Sequence, residues 1–248
     1  MRDIDISTLN AESYFALWTV CAFLGSLPAV RLPGPVVGYW AKGPGRWRYF
    51  WSLPTQLLVM PFLFYHALSS YDFSFDSWCN AWGQRPRWSF VQADAGTSDW
   101  VFVFLFPMWL LFDFLLTKVS PLMRAHHAVC LFGHLLGVIV WPAGFPWYMA
   151  GVTALEVGSA SSAIMSVWGR SRLAIGIYQI GMLLSNIAAV AASIAWAGVV
   201  KELPAQIIAT SLTAGLSYFR QAEANKAIAF HLKLIHTTWL AWSPSPTA

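Results

Sequence analysis

Five ionisable side chains fall inside long apolar runs: Asp113, His126, His127, His134 and Glu156. A charged group placed in hydrocarbon costs at least about 2.5 to 3.5 kcal/mol, so such residues need either a partner or a task. Two kinds of chemistry suit them. Imidazoles and carboxylates facing one another inside a bundle can handle a proton or meet a substrate, and the same residue types also serve as interhelical hydrogen bonds with no chemistry attached. Successive helical positions differ by about 100°, which sets His127, Cys130 and His134 on one stripe and His126, Gly133 and Gly137 on another. The first stripe is expected to line a cavity, and the two glycines to let another helix approach closely beside His126. At about 1.5 Å per residue, Asp113 lies roughly 8 Å from Lys118, and His127 roughly 5 Å from Arg124. His134, Glu156 and Asn186 come out near mid-membrane. With Gln56 and Gln179 at intermediate depth, these residues suggest a polar column open at one side.

The elements that must position them are transmembrane helices. Of the 248 residues, 57% are apolar, 16% aromatic and only 10% charged, against roughly 25% charged in soluble domains. The fold class expected is therefore all-α, a multi-pass transmembrane helical bundle. A span needs about 20 apolar residues, and seven segments qualify: 13–30, 49–68, 100–116, 123–141, 146–168, 173–200 and 204–219. Pro54 and Pro61 predict kinks in the second. The seventh either ends at Phe219 or belongs to one longer helix running on through RQAEANKAIAFHLKLIH. Lys and Arg gather on the cytoplasmic side of short loops. With seven spans, eleven of the fifteen fall on the side of the C-terminus, Arg220 among them, and four on the other. This places the N-terminus lumenal or outside and the C-terminus in the cytoplasm. The longest polar stretch, Ser69 to Asp99, reads as a lumenal loop whose Trp78, Trp82 and Trp88 suit a segment lying on the membrane surface.

Several chemistries are excluded. No HExxH or clustered i, i+3, i+4 histidine pattern supports a metal site, and no lysine in Pro204 to Phe219 could carry a retinal Schiff base. GSASS after Glu156 lacks a GxSxG elbow, so it reads as close helix packing. The net charge of +4 comes without a basic run or phosphate-binding loop, so nucleic acid is not an expected partner. Cys21, Cys79 and Cys130 show no CxxC spacing. The acidic start MRDIDISTLNAES does not read as a cleaved signal peptide.

The stretch DFLLTKVSPLMRAHHAVCLFGHLLG, followed by ALEVGSASSAIMSVWG, resembles the TLC-domain family of translocating-chain-associating, longevity-assurance and ceroid lipofuscinosis proteins. Asp113 late in one helix, His126-His127 opening the next and Glu156 among small residues carry the resemblance. WSLPTQLLVMPFLFYHAL, with Ser52 and His66, looks like the opening helix of the family. The resemblance covers 46–234, a six-helix membrane domain, leaving 1–45 as an N-terminal segment with the first span and 235–248 as a short cytoplasmic tail. The chain lacks the LHDxxD element of ceramide synthases and is more similar to the shorter TLC-domain proteins. The resemblance implies endomembrane lipid homeostasis, with membrane lipids or acyl chains as partners and acyl-CoA as a co-substrate if the protein is an acyltransferase. The catalytic set it implies is His127 as base or acyl carrier, His126 as its partner and Asp113 orienting His127. Glu156, His134, Gln56, Gln179 and Asn186 would contact the substrate. Lipid sensing, cargo binding and a structural role in a larger membrane complex stay open beside it. Acyl-CoA chemistry predicts a cavity lined by both histidines, and a structural subunit a filled bundle.

Overall fold

The structure is a computed structural model that describes residues 52–85, 96–116, 121–168 and 172–242. The expected first span, 13–30, lies outside the described residues, as does Trp88. The described chain is helical throughout, with seven α-helices and no strand. They are α1 (Met60–Ser69), α2 (Phe75–Gly83), α3 (Thr97–Leu116), α4 (Pro121–Leu135), α5 (Phe145–Trp168), α6 (Arg172–Val199) and α7 (Leu203–Trp242). The most extensive packing is α5 against α6, followed by α6 against α7.

Proline shapes the local geometry twice. A π-helical turn, Thr55–Val59, leads into α1, just where the ring of Pro61 would press on the carbonyl four residues back. The expected kink is thus a widened turn, and its one buried residue is Gln56. In α3, Pro107 has no N–H to give to the carbonyl of Val103. That carbonyl accepts instead from His134 Nε2 of α4, at 2.8 Å. His134 is 4% exposed and its ring lies among those of Phe102, Phe106 and Tyr148. It is an interhelical bond replacing the one that proline removed. His134→Ala should therefore cost about 1 to 3 kcal/mol, the penalty for stranding a buried acceptor. In a Pro107→Ala background, where this position regains its backbone N–H, most of that cost should vanish. Thermal denaturation of the four proteins in this cycle measures the coupling, and additive effects would show that the two residues are unrelated.

A second π turn, Leu136–Val140, ends α4, and a 3₁₀ turn, Pro142–Gly144, begins the way into α5. The chain direction bends by 116° across this break, so α4 and α5 diverge from it as the two arms of a V. Gly144 closes the apex. A Cβ there would sit 2.6 Å from Cδ1 of Trp196, so only glycine lets the turn rest on the α6 indole.

The stretch between α1 and α3 differs from expectation. Trp78 and Trp82 of α2 are completely buried, in a cluster with Trp100, Phe102, Phe145 and Met149. They do not lie on a surface, because α2 packs back onto α5 and its neighbouring turn and there its indoles find a deeper apolar environment than any interface offers. Asp99 fixes this arrangement. Its Oδ2 accepts from the Gly96 N–H (3.1 Å), Tyr71 hydroxyl (2.9 Å) and Trp82 indole (3.1 Å). The first of these is the reach-back bond of a capping box at the start of α3. Arg85 stacks over Trp82 and Trp100, at 4.5 and 4.8 Å.

Burial pushes the carboxyl of Asp99 up from 3.8 to about 6, against the downward pull of its hydrogen bonds. The folded state thus holds this proton more tightly than the unfolded chain. Its contribution is fully present below about pH 3.8 and is lost as pH rises through about 6. Melting temperature should accordingly fall between pH 4 and pH 7, and Asp99→Asn should flatten that part of the profile. An unchanged slope in the variant would remove Asp99 as its source.

The outer surface is apolar. On α6, Leu173, Ile177, Ile180, Leu184, Ile187 and Ile194 are exposed, a stripe at alternating spacings of four, three and seven that runs the length of the helix. The polar residues Ser185 and Asn186 of the same helix are buried. Among the described residues one helix, Leu173–Val199, is by itself long and apolar enough to cross a bilayer, and α4 with α5 reaches that standard as a bent pair. The seventh expected segment is the longer of its two alternatives: α7 is one helix of 40 residues, about 60 Å long.

Candidate functional site

Glu156 projects from α5 and is 7% exposed. Its Oε2 accepts from Gln56 Nε2 at 2.8 Å, a bond that ties the π turn before α1 to the middle of the bundle. Arg220 enters from α7 and binds three elements at once. Its Nε donates to Asn186 Oδ1 (3.2 Å), Nη1 to Ser159 Oγ (3.0 Å) and Nη2 to the Leu155 carbonyl (2.9 Å). Asn186 in turn donates to Gln221 at 3.1 Å. Glu156 lies within electrostatic reach of the guanidinium and stabilises it. A buried cation beside a buried anion, both hydrogen-bonded, is the form in which such charges persist in low dielectric.

The room for Arg220 comes from the small residues around Glu156. A Cβ on Gly158 would stand 3.0 Å from Arg220 Nη2 and collide with the Ser185 hydroxyl. The expected reading of GSASS as a packing surface describes this contact, and it adds that Ser159 is one of the acceptors of the arginine.

On α4, His126 Nε2 lies 3.8 Å from Cys130 Sγ, one turn along the helix. Cys130 belongs with His126 and not, as its assigned stripe implied, with His127 and His134. The i, i+4 geometry of a helix allows this because long side chains lean across to the neighbouring stripe. Cys130 is within electrostatic reach of both Glu156 and Arg220, and His126 of Arg220. His127 is 6% exposed, its ring 5.4 Å from that of His126.

The V between α4 and α5 contains an apolar cavity of about 140 Å³, closed by α6 and α7. Along α7 its wall runs from Ala205 to Leu216, a length of roughly 16 Å. Trp141, Trp147 and Trp196 stand at the apex end, and Cys130 and Leu155 at the other. Arg220 follows Leu216 by one helical turn, so the polar cluster caps the wide end of an apolar slot. Two hydroxyls on residues of the cavity wall, Tyr148 and Ser193, are buried without a hydrogen-bond partner. Gly133 also lines the cavity, and a Cβ there would meet nothing within 4 Å. The GxxxG pair thus does not admit a neighbouring helix as expected. Because α4 and α5 splay apart, Gly133 widens the cavity, and Gly137 receives only the Tyr148 ring, 3.4 Å from where a Cβ on the glycine would stand.

Of the residues singled out by sequence, the structure brings Gln56, Glu156, Asn186 and His126 into one neighbourhood, with His127 adjacent. Neither histidine of the pair is on the cavity wall. His134 is engaged by Val103, one helix away. Gln179 is exposed, because Tyr178 takes the inward position at that level of α6. Asp113 belongs to α3, and its side chain lies outside what the structure describes. Ser52, ahead of the π turn, is buried, and His66 on α1 is exposed. Arg220, Ser159, Cys130 and Tyr148 were not anticipated as site residues. Arg220 had a signal: with α7 continuous, it lies about 26 Å from Leu203, still inside a hydrocarbon layer about 30 Å thick. Counted with the tail, it had looked like a loop charge.

No protein-family model, curated protein or solved structure matches the chain.

Proposed function

We propose that this chain is a multi-pass membrane protein that takes a single acyl chain of a lipid into the V between α4 and α5, with the lipid's polar end at the Glu156–Arg220 cluster. One observation carries the reading: an apolar slot, in a bundle with an apolar exterior, ends at a buried polar cluster. A chain lying in the slot would be shielded on all sides, and its head would exchange water for donors and acceptors already in place. The volume is comparable to that of apolar cavities that take up a small hydrocarbon, which suits a segment of one chain and is too small for a two-chain lipid. The resemblance to the TLC domain supports lipid homeostasis in an endomembrane, with the N-terminus lumenal and the C-terminus cytoplasmic.

Binding is the better-supported half of this reading. Acyl transfer from acyl-CoA would require the acyl carbonyl to pass Cys130 and reach His126, where the imidazole could take the proton of an attacking amine. A purely structural subunit is disfavoured by the open slot, since a filled bundle would serve it better.

The test uses the full chain in nanodiscs and a lipid whose single chain carries a photoactivatable group. Cross-links are expected on peptides of α4, α5 and the first half of α7. Cross-links confined to the outer residues of α6, such as Ile180 and Ile187, would show that the probe sees only the lipid-facing surface and would overturn the proposal.

A further inference from the structure

The polar end of the slot has a charge balance that constrains what can bind there. Among the described residues it holds one cation, Arg220, and one anion, Glu156, within electrostatic reach of each other. Around them stand uncharged groups: Gln56, Cys130, Tyr148, Ser159 and Asn186. With the imidazoles of His126 and His127 in their neutral form, the cluster sums to zero. A lipid head bearing a full charge would bring a third ion into a site whose two ions already compensate each other, and would lose its hydration without gaining a free counter-ion.

A second, independent observation concerns hydrogen bonds that are not made. Gln56 is 7% exposed, its Nε2 donates to the Glu156 carboxylate, and its Oε1 is buried without a partner. An ionised carboxylate only accepts, so the amide orientation is set and Oε1 can serve only as an acceptor. The Tyr148 hydroxyl is likewise buried and unpartnered, and it lies within electrostatic reach of Cys130 and Glu156. An open acceptor and an open hydroxyl at the end of an apolar slot call for a ligand that brings a donor of its own.

Resting on the single-chain reading above, we infer that the lipid head is uncharged and carries at least one O–H or N–H: a long-chain alcohol, a carboxamide, or the monoester of a polyol. Fatty-acid anions, phosphate-bearing lipids and long-chain amines in their cationic form are excluded by charge. Simple methyl esters are excluded by lacking the donor.

The experiment places each head on one and the same photoactivatable chain and reads labelling of the slot in the full-length protein in nanodiscs. Primary amide and alcohol heads are expected to label at least about tenfold more than carboxylate or amine heads at equal concentration, the factor that a modest unbalanced-charge penalty produces. The methyl ester should label less than the amide. Glu156→Gln keeps a hydrogen-bonding group beside Gln56 but leaves Arg220 uncompensated, and should turn the preference toward the carboxylate. The double variant Glu156→Gln/Arg220→Gln is again neutral, and should return the preference to the amide even if Glu156→Gln alone accumulates poorly. Carboxylate labelling equal to or above the amide in the unaltered protein would overturn the inference, as would equal labelling by amide and methyl ester. Labelling of the slot with no regard to the head would sink this inference and leave chain binding standing. Absence of slot labelling by every probe would remove chain binding itself.

Discussion

Arg220→Ala is expected to be the most damaging single substitution in the bundle, lowering stability by about 3 to 5 kcal/mol, the usual consequence of removing one partner from a buried ion pair. The loss has three sources: Glu156 keeps its charge without compensation, the Leu155 carbonyl and Ser159 hydroxyl lose a donor, and Asn186 loses the bond joining α6 to α7. Arg220→Lys should recover only part of it, because a single ammonium cannot present the planar fork that reaches three acceptors at once. Adding Glu156→Gln to Arg220→Ala should recover more than the lysine does, since it removes the stranded charge. Folded yield and melting temperature in one detergent decide the order. If Arg220→Ala melts within about 1 kcal/mol of the parent, as substitutions away from special features usually do, then the guanidinium is a surface charge and the cluster is not an integral part of the fold.

The helices themselves were legible because membrane-length apolar runs are the strongest sequence signal a chain can carry. The expected segments 146–168 and 173–200 correspond to α5 and α6 within a residue or two. What escaped was set by tertiary contact. The burial of Trp78 and Trp82 depends on α2 folding back, and nothing in a Trp-containing polar stretch distinguishes a core indole from an interfacial one. His134 is explained by a backbone carbonyl thirty-one residues away, although Pro107 had announced that a carbonyl would need a donor. The slot itself was hidden, since the angle between α4 and α5 follows from the short turn joining them and not from either helix. Glu156 and His126 were found because an ionisable group in an apolar run is conspicuous. Arg220 was missed because a basic residue at the end of such a run is ordinary.

Ala209→Phe should abolish labelling of the slot by any chain-bearing probe while leaving the fold intact. Ala209 is on the wall of the cavity, between Ala205 and Leu212 on α7. A phenyl ring added there grows into empty space, so the overpacking cost of about 1 to 3 kcal/mol met in filled cores should be mostly avoided, and burial of the ring contributes in the opposite sense. The same change at Ile194, which is 63% exposed on α6, adds a comparable side chain to the outer surface and should leave labelling unchanged. The pair separates occlusion of the slot from a general effect of aromatic bulk. Melting temperature guards against a trivial loss through unfolding, and a stable Ala209→Phe protein that labels as strongly as the parent would mean that the chain does not lie between α4 and α5. Because the substitution leaves Arg220 and Glu156 untouched, its result depends on the slot and not on the head, so the two halves of the site can be judged independently.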